Sequence, residues 1–321
     1  MLRRFYSYFS LCLILLLVAC NSASQPEAQP NQLKVVATTS IIGDVVKNIS
    51  GDGVELTVLL PPGSDPHSYE PVPQDIARVA DAQVIFVNGA NLEESLLRIL
   101  ENAAQSTQLV SLSEGIELIE TSTLSDPDHA DSASHGHTES GSDEHTGGDP
   151  HVWTDPTLVK IWVEKIAQVL SERDPANAAL YQTNARNYTQ NLDELDRWIQ
   201  EQVSQISPEK RRLVTDHQSF AYFARRYGFE QVGAVIPGYS TLAEPSAQEV
   251  ANLEDAIRRL CVSAIFVGVS VNPSLAERVG RDTGAHLVRL YTGSLSQPDE
   301  GAGTYLDYMR YNVNAIVSAL K

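Results

Sequence analysis

The sequence predicts an α/β protein of two lobes, each a mainly parallel sheet flanked by helices, joined by one long connecting helix. Three observations point to the architecture. Strand-like apolar runs alternate with amphipathic helical stretches from residue 33 to residue 112, and the same alternation returns after residue 210. That alternation builds parallel sheets covered on both faces. Between the two halves, residues 175–206 keep helical spacing with no Gly and no Pro after Pro175. The chain is also 321 residues long with 42% hydrophobic residues, more than the ~250 at which a single core stops growing.

The N-terminus opens with Arg3 and Arg4, then an apolar run over 11–19 that is too short to span a bilayer. Residues 1–20 therefore read as a signal peptide, and Leu17-Val-Ala-Cys20 reads as a lipobox in which Cys20 is acylated. Residues 21–32 are rich in Ser, Pro and Gln and read as a flexible tether. Cys12 leaves with the signal and Cys20 carries the lipid, so only Cys261 remains, expected as a buried structural thiol.

The first lobe is expected over residues 33–174. Its strands are predicted at 33–39, 55–60, 82–88 and 108–112, with helices at 41–49, 74–80 and 91–101 between them and another beginning near 155. Residues 175–206 form the linking helix, with Leu180, Ala185, Tyr188, Leu192, Leu195, Trp198 and Ile199 as its apolar stripe. The second lobe is expected over 207–321, with strands at 213–215, 231–236, 264–267 and 286–290. Its helices are expected at 220–227, 247–260, 273–283 and 305–320.

Residues 121–149 interrupt the first lobe. They hold His129, His135, His137 and His145, half of the eight histidines, together with many acids and no Lys or Arg. Such a segment cannot bury enough surface to offset its ordering entropy and is expected to be disordered. Neutral imidazoles amid carboxylates suit weak, exchangeable capture of Zn2+ or a similar ion.

The other histidines are single. His67 follows the second strand in Pro61-Pro-Gly-Ser-Asp-Pro-His67, His151 precedes a helix in Asp149-Pro-His-Val-Trp153, and His217 ends a strand in Leu213-Val-Thr-Asp-His217. Ligands in α/β folds sit outside the carboxyl ends of strands, so these three are candidates to converge between the lobes. His286 lies inside an apolar strand and reads as structural.

With these stretches in view, the chain resembles the zinc/manganese-binding lipoproteins that deliver metal to ABC importers. The resemblance rests on the segments at 36–45, 61–70, 149–153, 216–223, 244–246 and 304–312, and runs from about Leu33 to Lys321. It implies two α/β lobes joined by a long helix, with the metal held by His67, His151 and His217. In that family a histidine at the third position marks zinc-binding members and a glutamate usually marks manganese-binding ones. The resemblance thus implies a high-affinity zinc receptor, with Mn2+ the less favoured cargo. The expected partner is an importer permease, and the expected location is extracytoplasmic, as a lipid-anchored monomer. A manganese receptor or a surface adhesin lipoprotein is the alternative.

Two departures stand out. The family often has Asp where this chain has Gly293, and Glu where it has Gly268. The usual fourth donor is thereby missing, which leaves water, Glu70, Asp299 or a loop histidine to replace it. Asp65, Asp149 and Asp216 are candidates to orient the imidazoles. Three imidazoles and an open position suit tetrahedral zinc better than oxygen-seeking manganese.

Other functions are disfavoured. A formal net charge of -18 opposes nucleic-acid binding. Three histidines also hold catalytic zinc, but no HExxH occurs and no general base stands at motif spacing, so no enzyme is expected.

Overall fold

The computed structural model describes residues 32–103, 107–120 and 148–321. The signal peptide, Cys20, almost all of the tether, and His129, His135, His137 and His145 lie outside the described residues.

The first sheet contains β1 (Leu33–Ala37), β2 (Val54–Val58), β3 (Val84–Val87) and β4 (Gln108–Ser111) in the order β2-β1-β3-β4, every pair parallel. The second contains β5 (Arg212–Thr215), β6 (Glu230–Ala234), β7 (Ala264–Gly268) and β8 (His286–Leu290) in the order β6-β5-β7-β8, again parallel. The two lobes are thus wound alike. In each, the strand order reverses between the first and third strands, which is where such folds open a crevice at the strand ends.

Strand alternation explains why the runs are apolar throughout. Val35, Ala37, Val84 and Phe86 face a central core, whereas Val36, Ile85 and Val87 face an outer one. In the second lobe Leu213, Ala264 and Phe266 face the same central core, and Val214, Ile265 and Val267 an outer core of their own. Successive side chains point to opposite faces, so a sheet covered on both sides needs apolar residues at both phases.

The helices are α1 (Ser40–Ser50), α2 (Pro73–Asp81), α3 (Glu94–Ala103), α4 (Pro156–Arg173), α5 (Ala178–Val203), α6 (Ala221–Tyr227), α7 (Ala247–Arg259), α8 (Ser274–Thr283) and α9 (Tyr305–Leu320). Their starts are locally encoded. Thr39 Oγ1 accepts from Ile42 N and Asp155 Oδ1 from Thr157 N, with Pro156 at the first helical position of α4. Ser246 and Glu249 form a capping box on α7. Helix α5 packs against α1, α4 and α9, so one central core runs through both lobes and residues 33–321 form one compact unit. Among the described residues no helix is long and apolar enough to cross a membrane.

Three expectations change. The linking helix is shorter than 175–206: Pro175–Asn177 is a 3-10 turn and α5 itself has 26 residues, about 39 Å of rise. Its stripe is Tyr181, Ala185, Tyr188, Leu192, Leu195, Ile199 and Val203; Leu180 is one residue out of phase and 43% exposed. Cys261 is exposed, not buried. It follows α7 with φ 54° while Val262 N reaches back to Ile257 O and Cys261 N to Arg258 O. That is a Schellman ending, in which the left-handed residue turns its side chain outward.

Candidate metal centre

Each of the three candidate histidines is held by its own local device. His217 stands just past β5, where Asp216 Oδ1 accepts from both His217 N (2.7 Å) and His217 Nδ1 (2.8 Å). The other oxygen, Asp216 Oδ2, accepts from Gly268 N at the end of β7 (2.7 Å). The aspartate therefore ties the imidazole to the strand-order reversal of the second sheet.

His151 precedes the short 3-10 turn Val152–Thr154 that leads into α4. Asp149 Oδ1 accepts from His151 N (2.9 Å) and His151 Nδ1 (2.7 Å). Asn88 Nδ2 donates to Pro150 O (3.0 Å), and Tyr222 Oη donates to Asp149 O (2.7 Å). Asn88 is fixed in turn by Glu93, whose buried carboxylate accepts from Asn88 N, Gly89 N and Thr38 Oγ1. Glu93 was not apparent as a site residue in the sequence; the Asn88-Gly89 turn pair at a strand end was its one visible signal.

His67 lies in the turn after β2, and Asp65 Oδ1 accepts from its backbone N (3.1 Å). The two aspartates that orient imidazoles are thus Asp149 and Asp216, while Asp65 shapes the turn.

The three rings meet at their Nε2 atoms. His151 Nε2 lies 3.2 Å from His67 Nε2 and 3.2 Å from His217 Nε2, and all three donor atoms fall within 4.8 Å of one another. His151 and His217 are 1% and 2% exposed; His67 closes the site from the more open side. Because Nδ1–H of His151 and of His217 donates to an aspartate, each Nε2 carries a lone pair when its ring is neutral. Two lone pairs aimed at each other at 3.2 Å repel unless a proton or cation sits between them. A tetrahedral zinc with bonds of ~2.0–2.1 Å has ligand edges of ~3.3–3.4 Å, close to these separations. An octahedral shell with longer bonds has edges of similar length, so donor type rather than spacing separates the metals.

The electrostatics are consistent with cation capture. Burial pushes the pKa of His67 and His151 well below the usual imidazole value, helped by the charge of neighbouring histidines, so both rings favour the neutral, ligating form. Burial also acts downward on His217, but the charge and hydrogen bond of Asp216 outweigh it and raise its pKa. Burial raises Asp149 to about 7, and its Oδ2 is one of the buried oxygens without a hydrogen-bond partner among the described residues.

Among the described residues no carboxylate joins the cluster. Glu70 and Asp299, named above as replacement donors, are exposed and stand outside it. His286 is exposed at the first residue of β8, at the sheet end remote from the site. Two surface hollows lie elsewhere, one lined by Val163, Gln182 and Arg186 and the other by Leu118, Ala221 and Arg225.

Comparison with known proteins gives one family and relatives named for zinc or for manganese. The family described as zinc-uptake complex component A, periplasmic (ZnuA), matches residues 35–319. The manganese-binding lipoprotein MntA of Halalkalibacterium halodurans is 34% identical over 317 residues, spanning 98% of each chain. The manganese ABC transporter substrate-binding lipoprotein PsaA of Streptococcus mitis is 32% identical over 314 residues, 96% of this chain and 95% of its own. Among solved structures, the periplasmic zinc binding protein TroA from Treponema pallidum superposes with a TM-score of 0.78 at 29% identity, over 90% of this chain and 99% of its own.

Proposed function

The chain belongs to the ZnuA family of periplasmic metal-uptake components, and from that premise we propose that it captures Zn2+ on His67, His151 and His217 and hands it to an importer permease. At the coarser level it is a metal-binding receptor of an ABC importer rather than an enzyme.

The observation that carries the zinc reading is the donor set: three Nε2 atoms drawn together, which no carboxylate joins among the described residues. Imidazole suits zinc, whereas manganese prefers oxygen ligands and lies lowest in the affinity order. Manganese is the second reading, favoured by the names of the relatives MntA and PsaA. Competitive titration of the metal-free protein separates the two. Zinc displacing manganese, with manganese unable to displace zinc at large excess, supports the first reading. Manganese bound comparably tightly supports the second.

Two further parts of the proposal concern residues outside the described ones. Acylation of Cys20 would anchor the receptor on the outer side of a bacterial membrane, and Cys20→Ser releasing the protein from membranes tests it. His129, His135, His137 and His145 would capture zinc weakly. Deleting residues 122–147 should remove weakly bound zinc and leave one tight ion.

A further inference from the structure

His67 belongs to the first lobe by sequence, yet its turn is fastened to the second. Gly63 N donates to Ser294 Oγ (2.5 Å) and to Leu295 O (3.1 Å). Thr241 Oγ1 donates to Asp65 Oδ2 (2.6 Å), and the other oxygen of that carboxylate accepts from His67 N. Between these two ties the buried ring of Pro66 lies on Gly293. A Cβ at residue 293 would stand 2.5 Å from Pro66 Cδ and 2.8 Å from Pro66 Cγ, closer than carbon atoms pack. Gly293 is not among the residues with positive φ, so what its missing side chain provides is space.

Neither partner can yield cheaply. Pro66 is a closed ring with a fixed φ and adjoins His67 directly, so relief requires moving the turn itself. Residues 292–295 are held from behind: Thr292 O accepts from Trp153 Nε1 (3.0 Å) and Tyr308 Oη (2.7 Å), and Leu295 N donates to Ser40 Oγ (3.0 Å).

We propose that the second lobe positions His67, through Pro66 resting on Gly293 and Asp65 bound by Thr241. Gly293 and Thr241 are positioning residues that set metal affinity without touching the metal. This deepens the proposed function and rests on His67 being a metal ligand.

The test is a pair of double-mutant cycles read by zinc affinity, measured against a chromophoric chelator in the full-length protein. Gly293→Ala is expected to weaken zinc binding by about 10–100-fold, the range typical of residues that orient a ligand, while one ion still binds. In a His67→Ala background the same change should cost no further affinity, because its effect passes through His67. Adding Pro66→Ala to Gly293→Ala should recover most of the loss. Thr241→Val, which keeps side-chain shape, should show the same dependence on His67 and carries the test should Gly293→Ala fail to fold.

Equal losses in the presence and absence of His67, or wild-type affinity for both Gly293→Ala and Thr241→Val, would overturn the proposal. If His67→Ala alone bound zinc like wild type, the ligand assignment would fall as well. If His67→Ala weakened binding and the positioning variants did not, only the present inference would fall.

Discussion

His217 Nε2 stands 3.2 Å from His151 Nε2 although the two residues are 66 apart in sequence and come from different lobes. Behind each ring a buried aspartate accepts the Nδ1 proton, Asp216 for His217 and Asp149 for His151. The two aspartates differ in their second oxygen. Asp216 Oδ2 accepts from Gly268 N, whereas Asp149 Oδ2 has no partner among the described residues. An asparagine amide at 216 would turn a donor toward a backbone donor, while at 149 it would meet no such conflict. Asp216→Asn is therefore expected to lower zinc affinity by about 10–100-fold, and Asp149→Asn by less. Isothermal titration of both variants checks the order.

Donor chemistry sets the metal. Replacing His217 with Glu exchanges one imidazole for a carboxylate in the same enclosed site. The ratio of zinc to manganese affinity is expected to fall by at least about tenfold, because oxygen ligands suit manganese and imidazole suits zinc. Competition between the two metals for wild type and His217→Glu measures the ratio, and an unchanged ratio would mean that residue 217 is not a donor.

Affinity should also depend on pH, and the sign follows from the shifts. Asp216 holds the proton of His217 more tightly than usual despite burial, and burial raises Asp149 to about 7. A cation on the imidazoles must displace the first proton and favours loss of the second. Well above these pKa values there is no proton to displace, and affinity is level. As pH falls through them, affinity should drop by about tenfold per pH unit for each proton released. Burial keeps His67 and His151 neutral until lower pH, where the decline steepens. Zinc titrations from about pH 8 to about pH 5.5 test this, and a flat profile would contradict it.

The linking helix should carry stability rather than specificity. Leu192 is fully buried on the face of α5 that enters the central core. Leu192→Ala is expected to cost about 2–5 kcal/mol in chemical denaturation, with one zinc ion still bound at saturation.

The sheets were legible because parallel strands buried on both faces read as continuous apolar runs, as at Val84–Val87 and Ala264–Gly268. The phase of α5 was harder to place. A list of apolar residues includes Leu180, but only the register of Tyr181 and Ala185 reaches the core. Cys261 misled because composition favours buried cysteines, whereas a helix ending placed it outward. At the site, aspartates next to or near histidines in sequence were visible as orienting candidates, since Asp216 adjoins His217 and Asp149 lies two residues from His151. Convergence of the three histidines was expected from their strand-end positions, but that they meet through Nε2 was not, because it depends on how the lobes close. Nor was the support of His67 by Thr241 and Gly293, which lie 174 and 226 residues further along the chain; no local pattern encodes such a contact.

A crystal of the zinc-loaded protein, with anomalous data on both sides of the zinc edge, decides whether these imidazoles are a metal site. One strong anomalous peak is expected at ~2.0–2.1 Å from Nε2 of each of His67, His151 and His217. A peak bound elsewhere, with those three rings left without metal, would contradict the assignment.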